Sequence, residues 1–235
     1  MSIDSLRTGD ILLFCEHPNN CFMATIDTII RCFTNSKYSH VGLVVVNPPW
    51  IVKRPGDPGI YVWDSSYHNV PDPADQKIKF GVALVPIRHY IDTKHGNQQL
   101  YIRKPVNPKI YDRFDDTFLT KLHKTVYGTH YDLAISHWLA GFLHLLIQRT
   151  TTTFFCSAFV SYALSQAGIL DAQTDWTIIS PAELSSDNDM SMDWVEPYTK
   201  DVIWSNNASE NRKDSDKFKN SAKISESFSG RVNGR

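Results

Sequence analysis

The chain has 235 residues, enough for one domain with a sizeable core, with or without a tail. Its hydrophobic fraction of 42% and charged fraction of 21% are ordinary for a globular protein. A formal net charge of −1 leaves no global basic field, which argues against a nucleic-acid partner.

"LRTGDILLF" (6–14) reads as a turn followed by a strand. "CFMATIDTIIRCF" (21–33) places Phe22, Ile26, Ile29, Ile30 and Phe33 on one helical face. "HVGLVVV" (40–46) is a strand stopped by "NPPW". "GIYVWDSS" (59–66), "FGVALVPI" (80–87) and "QQLYIRKP" (98–105) supply three more strands. Helical spacing then takes over. The predicted helices are 111–128, ending at Gly128, the strongly apolar 131–148, and 156–168, ending at Gly168. "SPAEL" (180–184) is a short turn or helix, and "VEPYTKDVIW" (195–204) contains a last strand. The expected class is α+β, with strands gathered in the middle and helices towards both ends.

From Ser205 the composition turns polar, with seven Lys or Arg against four Asp or Glu. Residues 205–235 are therefore expected to be a disordered tail behind a single domain, 1–204. The polar, acidic start "MSIDSLRTGD" does not read as a secretory leader. A cytoplasmic placement with free thiols follows as the expectation. The apolar stretch 133–147 is too short to span a bilayer, though it suits a membrane surface or an apolar ligand.

Four cysteines occur, at 15, 21, 32 and 156. The first three follow no zinc spacing; Cys15 with His17 is an outside candidate for a metal pair, and the expectation is no metal. Cys156 begins a helical pattern. Unpaired N–H groups and the dipole at a helix start favour thiolate, the nucleophilic form of the side chain. His40 opens a strand, where an imidazole can project into a cleft and act as base. Asp64 sits on the following strand. If the two strands pair, its carboxylate can reach the far ring nitrogen and orient the imidazole. Ser65, Ser66 and His68 compete for that orienting role. Taken singly, Cys156 reads as a small buried hydrophobe, His40 as a polar strand cap and Asp64 as a surface carboxylate. Taken together they have the parts of a nucleophile–base–orienter triad.

The order "RTGDILLF", "YSHVGLVVV", "WDSS", "FFCSAFVSYAL" resembles the circularly permuted branch of the NlpC-type papain-like superfamily. That branch holds YiiX/YaeF-like bacterial proteins and a group of poxvirus proteins, with lecithin retinol acyltransferase a distant relative. In it the histidine strand precedes the cysteine helix, as His40 precedes Cys156 here. The resemblance implies a permuted papain-like fold: an antiparallel sheet or partial barrel packed on helices, with the nucleophile at a helix N-terminus. It implies Cys156 as nucleophile, His40 as base and Asp64 as orienter, with no cofactor. "HYDL" (130–133) resembles a Tyr-Asp element of the family. That makes Tyr131, with Ser157 and Tyr38, the candidate set for oxyanion and substrate binding. The expected activity is a peptidase- or amidase-like cysteine hydrolase acting on a peptide-like substrate. A lipid acyltransferase or esterase and a non-catalytic binding or virion protein are the alternatives. A viral source would place the protein in host cytoplasm or in the virion.

Overall fold

The computed structural model describes residues 2–15, 36–53, 55–92, 99–131 and 153–204. The helix expected over 21–33, with Cys21 and Cys32, lies outside these residues, as do His17, nearly all of the apolar helix expected from 131, and the tail from 205. The chain divides into two units, of which Asp4–Trp204 is the larger. The larger one is the subject below.

The fold is α+β. Eight strands form one sheet: β1 (Ile11–Cys15), β2 (His40–Val46), β3 (Ile60–Pro71), β4 (Ile78–Pro86), β5 (Gln99–Arg103), β6 (His130–Tyr131), β7 (Thr153–Phe154) and β8 (Val202–Trp204). Their order is β7-β6-β4-β3-β2-β1-β5-β8. Every pairing is antiparallel except β6 with β7. Three α-helices are described: α1 (Ile87–Asp92), α2 (Asp116–Val126) and α3 (Cys156–Gln166). None of the described helices is long and apolar enough to cross a membrane.

The central strands are short runs of branched and aromatic residues with both faces covered. Leu12, Leu13, Val44, Val45 and Val62 are fully buried, as expected of continuous apolar strands rather than alternating ones. Helix α3 covers one face: Phe159 packs on Trp63 of β3 at a ring separation of 5.3 Å. It ends where Gly168, at φ 66°, takes the left-handed position, with Ile169 N–H donating back to Leu164 O. Asp115 caps α2 through its side chain, which accepts from Phe118 N–H. That helix is shorter than the 111–128 expected, because Pro108–Arg113 forms a 3-10 segment first.

The "TGD" turn proves architectural. Gly9 lies at φ 101°, and a Cβ there would fall 2.6 Å from the Phe114 ring. Its N–H donates to Val44 O at 3.0 Å, and its own carbonyl accepts from Tyr198 Oη at 2.7 Å. Buried Asp10 accepts from Arg7 N–H, Lys104 Nζ and Tyr111 Oη at 2.5–2.9 Å. In the same way "SPAEL" is a turn closed on itself. Ser180 donates through both N–H and Oγ to Glu183 Oε2, at 2.8 Å each.

Candidate active site

Antiparallel pairing of β2 with β3 aligns Leu43 with Trp63 and Val44 with Val62. Because side chains alternate along a strand, His40, Gly42, Val62 and Asp64 share one face of the sheet and Leu43 and Trp63 the other. Gly42 leaves the gap that the site needs: a Cβ there would come 2.3 Å from Val62 Cγ1 and 3.4 Å from Asp64 Cβ. With that room, the short Asp64 side chain reaches His40, and Nε2 lies 2.6 Å from Oδ2.

Cys156 is the first residue of α3 and is buried. Phe155 at the N-cap gives no side-chain hydrogen bond to the helix start. The Cys156 side chain lies close enough to His40 for the two to interact electrostatically. With Nε2 committed to Asp64, the ring's Nδ1 is the nitrogen left for sulfur. One imidazole therefore connects a thiol at a helix N-terminus with a buried carboxylate. Burial by itself would lower the His40 pKa. Electrostatic interaction with Cys156 and with Asp64, and the hydrogen bond to Asp64, outweigh it and hold the ring well above its ordinary 6.5. Burial pushes Asp64 up, but the imidazoles of His68 and His40 and their hydrogen bonds hold its carboxyl far below its ordinary 3.8.

The sequence placed one imidazole on Asp64; the structure places two, with a phenol. His68 Nε2 lies 3.0 Å from both Oδ1 and Oδ2. Tyr90 Oη donates to Oδ2 at 2.9 Å and lies 3.2 Å from His68 Nε2. Ser66 Oγ also closes on His68 Nε2. Residues 64, 66 and 68 share a face because β3 continues to Pro71, beyond the "WDSS" where the sequence reading stopped it. A strand pattern carried through "YHNV" would have drawn His68 in. Tyr90 had no such signal. It lies on α1, a helix of six residues directly after β4.

The remaining candidates fall elsewhere. Tyr38 is fully buried, its hydroxyl donates to Asp201 Oδ2 at 2.6 Å, and its ring meets Tyr101 of β5 at 5.2 Å. Ser157 is buried beside Cys156. Tyr131 is strand rather than the first residue of a helix: it lies on β6 in parallel register with Phe154, two residues before Cys156. Cys15, at the end of β1, is a free thiol.

No protein-family model matches the chain, and no curated protein does. Among solved structures it is similar to the metalloprotein yiiX from Escherichia coli O157:H7. The TM-score is 0.41 and the sequence identity 17%, over 84% of this chain and 88% of that one. At that distance the functional reading rests on the site itself.

Proposed function

We propose that the chain is a cysteine hydrolase that cleaves an amide or ester through an acyl-enzyme. The observation that supports this reading is the single imidazole of His40, hydrogen-bonded to buried Asp64 at 2.6 Å and in electrostatic contact with Cys156 at the start of α3. In this reading His40 holds the proton taken from the thiol, and the thiolate attacks the carbonyl carbon. The carbonyl π pair moves to oxygen, where the Cys156 backbone N–H at the start of α3 stabilises it. Tyr131 is the second candidate for that role. Collapse of the adduct expels the amine or alcohol, which leaves with the proton from His40 Nδ1, and a thioester remains on Cys156. Water then gives a proton to His40 and attacks the thioester. The acid departs, and the thiolate–imidazolium pair is restored. Asp64 keeps its charge throughout and fixes the ring.

The test is labelling with peptide-like and lipid-like acyl electrophiles. Wild type is expected to label at one cysteine, and Cys156→Ala, still folded by circular dichroism, is expected not to label. Equal labelling of the mutant rejects the assignment. Preference for the lipid-like probe with acyl transfer to an alcohol would redirect the reading to an acyltransferase of the same site.

A further inference from the structure

We propose that His40, Asp64 and His68 form a site for a single divalent transition-metal ion of the Zn²⁺ class, and that its occupancy excludes the hydrogen-bonded arrangement needed for thiol chemistry. The binding claim stands on the cluster alone. Only the inhibitory consequence rests on the hydrolase reading above.

The first argument is the convergence of donors. A ring nitrogen of His40, a ring nitrogen of His68 and an Asp64 carboxylate oxygen lie within 4.8 Å of one another, and Nε2 of each ring is the atom on Asp64. Two imidazole nitrogens and a carboxylate oxygen, with a further position open, are a donor set that suits zinc. Tetrahedral bonds of 2.0–2.2 Å put neighbouring ligand atoms about 3.3 Å apart. The separations here from Asp64 are 2.6 Å and 3.0 Å, so an ion enters when these atoms part by about 0.7 Å and about 0.3 Å.

The second argument is valence. An imidazole nitrogen offers one hydrogen or one lone pair. His68 Nε2 nevertheless has four oxygens close to it: Asp64 Oδ1 and Oδ2 at 3.0 Å, Tyr90 Oη at 3.2 Å and Ser66 Oγ. An N–H shared between the two carboxylate oxygens leaves the other approaches to that nitrogen unused. A cation set among these atoms draws on both imidazole lone pairs and the carboxylate together. Access is also present, since the His40 and His68 side chains keep 14% and 13% exposure over a fully buried carboxylate. Tyr90 and Ser66 stand close enough to hold the carboxylate and the His68 ring in place.

Metal binding changes the protons. Each imidazole gives up hydrogen from Nε2 and keeps it on Nδ1. A metal-bound His40 then holds its Nδ1 hydrogen too firmly to pass it to a leaving group, and the acid–base cycle stops.

The experiment uses the full chain, stripped with chelator and titrated with Zn²⁺ by calorimetry, and with Co²⁺ by visible absorption. Wild type is expected to bind one Zn²⁺ per chain and to give the intense Co²⁺ bands of a low-coordinate site. His68→Ala is expected to weaken Zn²⁺ at least 100-fold, and Cys156→Ala to bind as wild type does. No stoichiometric binding by wild type overturns the proposal. So does binding lost with Cys156→Ala but kept in His68→Ala, since the ion would then sit on the thiol. Should His68→Ala misfold, His68→Gln serves, and the wild-type Co²⁺ spectrum decides independently: sulfur-to-cobalt charge-transfer bands overturn the site, and their absence under a one-to-one titration supports it. Failure of the hydrolase reading shows separately, as absence of probe labelling in metal-free wild type.

Discussion

Asp64 meets His40 across two paired strands at 2.6 Å, with no solvent on the carboxylate. The same carboxylate takes hydrogen bonds from His68 and Tyr90, so three donors converge on one buried anion. Asp64→Asn offers one acceptor oxygen to these groups and turns an NH₂ towards them. The acylation rate is expected to fall about 10²–10⁴-fold, the range in which acid–base support contributes. Stopped-flow labelling checks this. A rate within a factor of two of wild type rejects the orienting role of Asp64.

Cys156 is one of the two groups whose interaction raises His40. Replacing it with Ala removes that interaction, while Asp64 remains. The His40 ring, followed by NMR, is therefore expected to titrate at lower pH in Cys156→Ala than in wild type. An unchanged midpoint would mean that thiol and imidazole do not interact in solution.

Stability should depend on pH in a definite sense. Asp64 is held below its ordinary 3.8, so its contribution is complete above that value and fades as pH falls towards the depressed pKa. His40 is held above its ordinary 6.5, so its contribution is complete below that value and fades as pH rises through the raised pKa. The unfolding midpoint is expected to be highest between about pH 4 and 6.5, with Asp64→Asn flatter at both ends. A wild-type midpoint that climbs steadily from pH 5 to 9 contradicts the His40 assignment, and one that does not fall as pH drops below about 3.8 contradicts the Asp64 assignment.

Gly42→Ala tests the gap beside Asp64. The new methyl meets Val62 Cγ1 at 2.3 Å in a packed interior. Overpacking of this kind costs about 1–3 kcal/mol. Because Asp64 Cβ is the next neighbour, at 3.4 Å, labelling should slow as well as stability drop. Urea unfolding combined with probe kinetics separates the two effects; an unaltered protein would mean that the strands can part freely there.

Arg103 ties the far side of the sheet. It is fully buried and donates to Thr199 O, Leu184 O and Tyr198 O at 2.7–3.2 Å, with Asp201 at 3.6 Å. Arg103→Ala leaves carbonyls and a carboxylate short of a donor. Loss of one partner from a buried ionic cluster costs about 3–5 kcal/mol. Chemical denaturation measures it, and a cost below 1 kcal/mol would mean that water replaces the guanidinium.

Strands over 40–46 and 59–66 were legible in the sequence because their residues are branched, aromatic and bounded by Pro and Gly. The helix starting at Cys156 was legible from its spacing and its closing Gly168. His68 was named only as a rival to Asp64, because "SS" looked like the end of a strand that in fact continues to Pro71. Tyr90 and Arg103 could not be read at all. Each acts through partners brought to it by tertiary pairing, and no local period announces such a meeting. Tyr38 was named beside Tyr131 and Ser157 as a substrate-binding candidate, and the fold sends its hydroxyl to Asp201, a meeting across 163 positions that no local pattern shows.

His40 and Asp64 belong to adjoining strands only 24 positions apart, whereas their sulfur neighbour is delivered by a helix near the close of the domain. On the nucleophile reading proposed above, a newly made chain would hold its imidazole and carboxylate in place before the sulfur arrives, and reactivity at Cys156 would report that the closing helix has docked.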